Sequence, residues 1–337
     1  MRKIIIVIIF TILFVILNCS NENKTNDGVI KIYNGNSGPL LWSHYDNLIY
    51  FIKSNYYFIP TGEERPYKTA ICYIDQNGEN LGDINMNNYY FESIVDISTN
   101  PDGKYMALSA CESEDPSSQY PGYYNIYKVP IEGGLPINLI NNYYYRWNLS
   151  PTWTSDGQWI YFIRANINFA DCSIWKVKPD GSELTKTDIN LGDDVDYIID
   201  ITFSHNGKYL LISCFKNNLF FSKIISMNSG ESWVVYKPVY CEEGEFLAFS
   251  PDDKWICIGD PSALSIISTD GKDEPVSIYT YTSPYIKNDD NDIFFYRATR
   301  IFPDWSPDGH WIVFALVSSV DDEGIYKVKV PDKFLPN

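Results

Sequence analysis

One short segment recurs six times along the 337-residue chain, and no other feature restricts its fold as strongly. Each copy has an anchor residue, Trp or Phe in five of the six, then Ser-Pro-Asp-Gly or a variant, then an apolar run. The copies are Trp42–Phe51, Thr99–Leu108, Trp153–Phe162, Phe203–Ile212, Phe249–Ile258 and Trp305–Phe314. Asp46, Gly103, Gly157, Gly207, Asp253 and Gly309 hold the glycine position, at spacings of 57, 54, 50, 46 and 56 residues. That is close to the period of propeller blades. Pro pre-sets φ, Asp tolerates the next turn position, and Gly supplies the positive φ that ends a tight hairpin. Asp46 and Asp253 are expected to adopt that conformation in place of Gly.

A second hairpin follows each copy. Its first strand reads Ile126–Val129, Ile174–Val177 and Ile325–Val328 in three repeats, and Asn-Gly, Asp-Gly or Gly-Gly turns then reverse the chain. Each unit is therefore four short strands, A to D, which is a propeller blade. The last unit lacks its outer strand, because only Pro331–Asn337 remains after Val330. Val29–Tyr33 precedes the first repeat and is expected to fill the gap, closing the ring and removing an open edge. The fold predicted is all-β: a six-bladed propeller of four-stranded antiparallel blades, occupying residues 29–337 as one domain.

Residues 1–18 have a different character. Arg2 and Lys3 precede an apolar run from Ile4 to Leu17, shorter than the roughly 20 residues a membrane span needs. The following Ile16-Leu17-Asn18-Cys19-Ser20 resembles a bacterial lipobox, with Asn18 where a small residue is usual. Residues 1–18 thus read as a lipoprotein signal peptide, Cys19 as the lipidated residue, and residues 19–28 as a polar tether. Cleavage removes two cations and no acid, taking the net charge from −17 to −19. So acidic a chain is a poor match for nucleic acid, whose phosphates need clustered Lys and Arg.

The repeats resemble those of the TolB-type six-bladed propeller, which also occurs beside peptidase domains of the prolyl oligopeptidase kind. The resemblance covers about residues 29–330 and implies the fold. Two departures limit what it implies for function. TolB resembles a two-domain protein with an α/β domain before its propeller, whereas only Ser20–Gly28 separates Cys19 from the first strand here. A peptidase needs a G-x-S-x-G elbow, and none occurs.

Side chains suited to chemistry are sparse. The three histidines, His44, His205 and His310, fall on separate blades and are expected to point away from one another, which disfavours a histidine metal site or a catalytic triad. Cys214 and Cys241 are placed to meet as a disulfide; Cys72 and Cys257 fall inside strands. Asp96, Asp200 and Asp304 lie near the start of innermost strands, so they are candidates for a cation in the central channel. Solvated acids at the channel mouth are the simpler reading, since Ca²⁺ needs 6–8 oxygens. No cofactor and no enzymatic activity are expected.

Topology says more about where recognition occurs. The A–B and C–D turns fall on one face of a propeller and are short and uniform. The B–C and D–A loops fall on the other, and they are long and rich in aromatics: Tyr56, Tyr57, Tyr120, Tyr123, Tyr124, Tyr143, Tyr144, Tyr145, Trp147, Tyr281 and Tyr285. Variable loops on a rigid scaffold are where binding usually resides, and Tyr offers contact area with a hydroxyl at low entropic cost. The reading is a monomeric, non-enzymatic lipoprotein of the bacterial cell envelope. It touches the membrane through its anchor alone, faces the periplasm or exterior, and binds a protein or peptide on this loop face. The alternative is binding or lysis of a polysaccharide, which an aromatic, acidic face also suits.

Overall fold

The recurrent turn is a small hydrogen-bonded device. In the last copy, Ser306 Oγ accepts the amide N–H of Trp311 at 2.9 Å and donates to Asp308 Oδ1 at 2.6 Å. Asp308 Oδ1 in turn accepts the N–H of His310 at 3.0 Å. Ser250 repeats these contacts with Trp255 and Asp252, and Thr154 does so with Trp159 and Asp156. The motif therefore recurs because the hydroxyl and the carboxylate satisfy backbone donors that a two-strand turn leaves unpaired.

A computed structural model describes residues 28–54, 69–112, 123–140, 147–166, 171–217, 219–236, 246–260, 263–281, 286–287, 293–294, 300–317 and 323–336. These residues are almost entirely strand, with one short 3-10 helix at Asp332–Phe334. After β1 (Val29–Asn34) comes an antiparallel sheet of β2 (Leu40–Trp42), β3 (Ile49–Ser54), β4 (Thr69–Ile74) and β5 (Gly82–Asp83). The next run is β6 (Ser93–Thr99), β7 (Tyr105–Cys111), β8 (Tyr124–Pro130) and β9 (Ile137–Asn138). It shares an eight-stranded sheet with β10 (Trp147–Trp153), β11 (Ile160–Ala165), β12 (Cys172–Val177) and β13 (Thr185–Lys186). The two halves are joined by a single parallel pairing, Trp147 with Tyr124.

Two further four-stranded sheets follow in chain order: β14 (Tyr197–Phe203) to β15 (Tyr209–Lys216), β16 (Leu219–Ser226) and β17 (Ser232–Tyr236), then β18 (Phe246–Phe249) to β19 (Trp255–Gly259), β20 (Ala263–Ser268) and β21 (Val276–Thr280). A two-residue hairpin, β22 (Ile286–Lys287) and β23 (Ile293–Phe294), stands apart. The last sheet contains β24 (Arg300–Trp305), β25 (Trp311–Val317) and β26 (Gly324–Lys329), and β1 is its fourth strand. β1 runs antiparallel to β26 from Val29 opposite Val328 to Asn34 opposite Gly324, the pairing expected of Val29–Tyr33.

The core lies between sheets. One apolar cluster joins β2–β5 to β6–β8 through Tyr50, Ile71, Phe91, Leu108 and Tyr127. Similar clusters join each later sheet to its successor, and one joins the first sheet to the last through Trp42, Phe51, Phe302 and Val313. The anchors Trp42, Trp153, Phe249 and Trp305 are buried in this packing.

One turn departs from the expectation. Asp253 has a φ of 59°, as predicted, but in the first copy it is Asn47, with φ 61°, that is left-handed rather than Asp46. The Asn47 N–H donates to Ser43 O at 3.1 Å, so this turn is one residue longer before it reverses. Asp46 instead accepts the Tyr50 hydroxyl at 2.7 Å.

Candidate functional site: a central cavity with an acidic interior

The first strand of each four-stranded run, β2, β6, β10, β14, β18 and β24, contributes to the lining of one cavity of about 580 Å³. Its two ends differ because the strands run in the same sense. At the ends where these strands begin, Tyr124, Trp147, Phe246, Phe302 and Arg300 line it. Tyr124 and Trp147 rings lie 5.7 Å apart, and those of Phe246 and Phe302 lie 4.0 Å apart. This is the side of the B–C and D–A loops. At the other end the A–B turns contribute His44, Tyr45, Pro101, Ser155 and His205.

Between the ends stand the predicted carboxylates, which form a pair and a single group rather than a ring. Asp96 on β6 and Asp200 on β14 flank Ser150 on β10, which is 3% exposed. The Ser150 hydroxyl donates to Asp200 Oδ1, and its proximity tempers the rise of the Asp96 carboxyl. The same hydroxyl accepts the Ile201 N–H at 3.0 Å. Burial holds Asp96 well above the usual carboxylate range, and the charge of Asp200 pushes it further; burial raises Asp200 as well. Two such groups cannot both ionise cheaply, so the pair tends to keep a proton. Asp304 stands apart. It accepts the backbone N–H of Trp42 at 2.7 Å and of Trp305 at 2.8 Å, and burial outweighs these bonds to lift it to about 6.

The histidines correct the expectation that they point apart. His44 and His205 belong to the first and fourth copies, yet their rings lie 4.7 Å apart, both exposed at the turn end of the cavity. Partial desolvation and the neighbouring His205 lower His44 to about 4, with Asp253 opposing. Asp253 binds the backbone N–H groups of His205 and Asn206 at 2.7 and 2.9 Å and sits 3.0 Å from His205 Nδ1. His310 lies apart, exposed beside Asp308. Among the described residues no group of three or more His, Cys, Asp and Glu is arranged to hold a metal ion.

Of the predicted aromatic residues, Tyr124 and Trp147 come together at the cavity mouth, though as strand residues on a seam rather than in loops. Tyr124 is buried, with its hydroxyl 3.1 Å from Ser93 Oγ, and Trp147 is half-buried. Tyr123 is half-buried, and Tyr281 packs against the core between the last two large sheets. Cys19, Tyr56, Tyr57, Tyr120, Tyr143, Tyr144, Tyr145 and Tyr285 lie outside the described residues, as does Cys241, the partner expected for the buried Cys214. Cys72 and Cys257 are buried thiols in strands, as expected. Sequence reasoning missed Ser150, whose signal is a non-glycine φ of 51° that only the structure reveals, and it missed Phe246 and Phe302.

Sheets stacked face to face around a cavity lined by their first strands define a β-propeller protein. More narrowly, the fold is that of the TolB-like propellers. The chain matches putative TolB from Agrobacterium tumefaciens with a TM-score of 0.56 at 15% identity, over 88% of this chain and 91% of that one. It matches TolB from Acinetobacter baumannii with a TM-score of 0.51 at 18% identity, over 70% of this chain but 53% of that one. Oligogalacturonate lyase from Vibrio parahaemolyticus matches with a TM-score of 0.55 at 13% identity, over 93% and 96% of the two chains. No protein-family model matches, and no curated protein matches in sequence. Identities this low speak for the fold alone.

Proposed function

We propose that the protein is a non-enzymatic lipoprotein of the bacterial cell envelope whose loop face binds a protein or peptide. In this reading residues 1–18 are removed, Cys19 carries the lipid, residues 19–28 form the tether, and residues 29–337 form one monomeric propeller. Its six four-stranded blades close through β1, on the periplasmic or outer side of the membrane. Support for closure comes from the pairing of β1 with β26 and from the apolar cluster between first and last sheets. No helix among the described residues is long and apolar enough to cross a membrane.

The observation that carries the binding role is the aromatic rim of the central cavity. Tyr124, Trp147, Phe246 and Phe302 line it at the end where its strands begin, towards the B–C and D–A connections. Rigid aromatic area beside a concave, partly polar interior is what recognition of a partner needs. Crosslinking from intact membranes tests this. Wild type should yield a specific protein adduct, and a variant with Tyr143, Tyr144 and Tyr145 changed to Ala should lose it; no adduct from wild type would refute the role.

A second reading, polysaccharide binding or lysis, is favoured by the likeness to an oligogalacturonate lyase and by the same aromatic, acidic cavity. A glycan-binding and cleavage screen separates the two.

A further inference from the structure

Three consecutive innermost strands are each irregular at one level. The register of β6 against β7 shifts between Ile94 and Asp96, that of β10 against β11 between Leu149 and Thr152, and that of β14 against β15 between Ile198 and Asp200. Bulges re-aim side chains, and these three converge on Asp96, Ser150 and Asp200. Ser150 also bears a φ of 51°, a conformation that is costly for any residue with a Cβ. β24, which carries the solitary Asp304, pairs with β25 without a shift.

The surroundings leave hydrogen-bonding capacity unused. Ser37, 1% exposed, and Ser98, two residues beyond Asp96 on the same face of β6, line the same cavity, and neither buried hydroxyl has a partner. Carboxyl oxygens and hydroxyls together call for a cation that donates hydrogen bonds in several directions. A primary ammonium does this with three N–H donors on a compact charge. A bare divalent metal is a poorer match, because it needs more oxygen ligands than this pair supplies.

Access points the same way. On the loop side Tyr124, Trp147, Phe246 and Phe302 line the cavity, and their rings suit an aliphatic stem. The net charge of −17 draws cations towards the molecule.

We propose that the cavity admits a primary alkylammonium group from the loop face, such as a lysine side chain of a bound partner, and seats it between Asp96 and Asp200 beside Ser150. The inference rests on the loop-face reading and names the chemistry that the partner must present. Where the carboxyl pair holds a proton, seating the ammonium expels that proton to solvent.

Calorimetric titration of the detergent-solubilised full chain tests this with 1-pentylammonium, 1-pentanol, pentyltrimethylammonium, and a blocked Gly-Lys-Gly peptide with its norleucine counterpart. The ammonium should bind at least tenfold more tightly than pentanol and than the trimethylated cation, with proton release revealed by an enthalpy that depends on the buffer. Asp96→Asn and Asp200→Asn should each weaken it at least tenfold, and the surface variant Asp193→Asn should not. Binding of the free amine alone, or of the Lys peptide alone, supports the seat and says which source reaches it. Equal binding of ammonium and trimethylated cation overturns the proposal even if the Asn variants misfold. So does binding unchanged in both Asn variants. Failure of membrane crosslinking with amine binding intact would instead refute the protein-binding reading and leave the ammonium seat standing.

Discussion

Lys327 donates its ammonium to the carbonyl of Gln76 at 2.6 Å across 251 residues of sequence. The contact repeats one made between successive units, where Lys128 on β8 donates to the carbonyl of Pro179 in the turn that follows β12. In both cases the lysine of an Ile-Tyr-Lys-Val third strand reaches the outer turn of the next unit. The last unit thus treats the first as its neighbour. Glycines give the reciprocal view. A Cβ on Gly133 would meet Asn85 O, one on Gly271 would meet Val234 O, and one on Gly78 would meet Ile32 O of β1 at 1.9 Å.

Gly78→Ala is therefore expected to destabilise by about 2 kcal/mol or more, through its φ of 80° and the clash with β1. Gly230→Ala, at φ 72° but with nothing within 4 Å, should lose only about 1 kcal/mol. Urea unfolding of the two variants measures the difference. Equal losses would mean that β1 does not stay packed on the first unit in solution.

Asp253→Gly restores the residue that four other copies of the repeat carry, and it relieves a positive φ. It should nevertheless destabilise, by roughly 1–3 kcal/mol, because Asp253 binds two backbone N–H groups and faces His205 Nδ1. A melting temperature that rises would show that these bonds contribute less than the backbone strain costs.

Asp200→Asn should raise stability at neutral and higher pH. A carboxyl whose folded-state pKa is raised binds more protons folded than unfolded, so its contribution is full below the ordinary carboxylate pKa and is lost as pH rises through the folded value. Removing that charge should gain on the order of 1–2 kcal/mol at pH 8 and little at pH 4. Thermal melts of both proteins across this range give the comparison, and a gain that does not shrink on acidification would contradict the assignment.

The repeat and its strands were legible because their cause is local. Ser306, Asp308 and Gly309 dictate a turn within six residues, and the missing outer strand follows from counting. The cavity was only half legible. Strand position brought Asp96 and Asp200 to it, but the hydroxyl between them depends on a bulge in β10 that no composition signals. The meeting of His44 and His205 depends on the width of the cavity, which no single turn encodes. Asn47 displaced Asp46 because one turn is a residue longer than its relatives. Tyr124 and Trp147 read as loop residues, yet they pair across the seam between β8 and β10.

Cys19→Ser should move the protein from the membrane fraction to the soluble fraction and abolish the mass of the attached lipid, as read by fractionation and intact-mass spectrometry. Retention of the variant on the membrane would remove the anchor from the account.

The most direct test of the loop-face role is site-specific photocrosslinking in intact membranes. A photoreactive residue replaces either Arg300, exposed at the aromatic rim, or Ser229, exposed in a turn on the opposite face. The account predicts a discrete protein adduct from position 300 and none from position 229. An adduct from position 229 alone, or none from either, would contradict it.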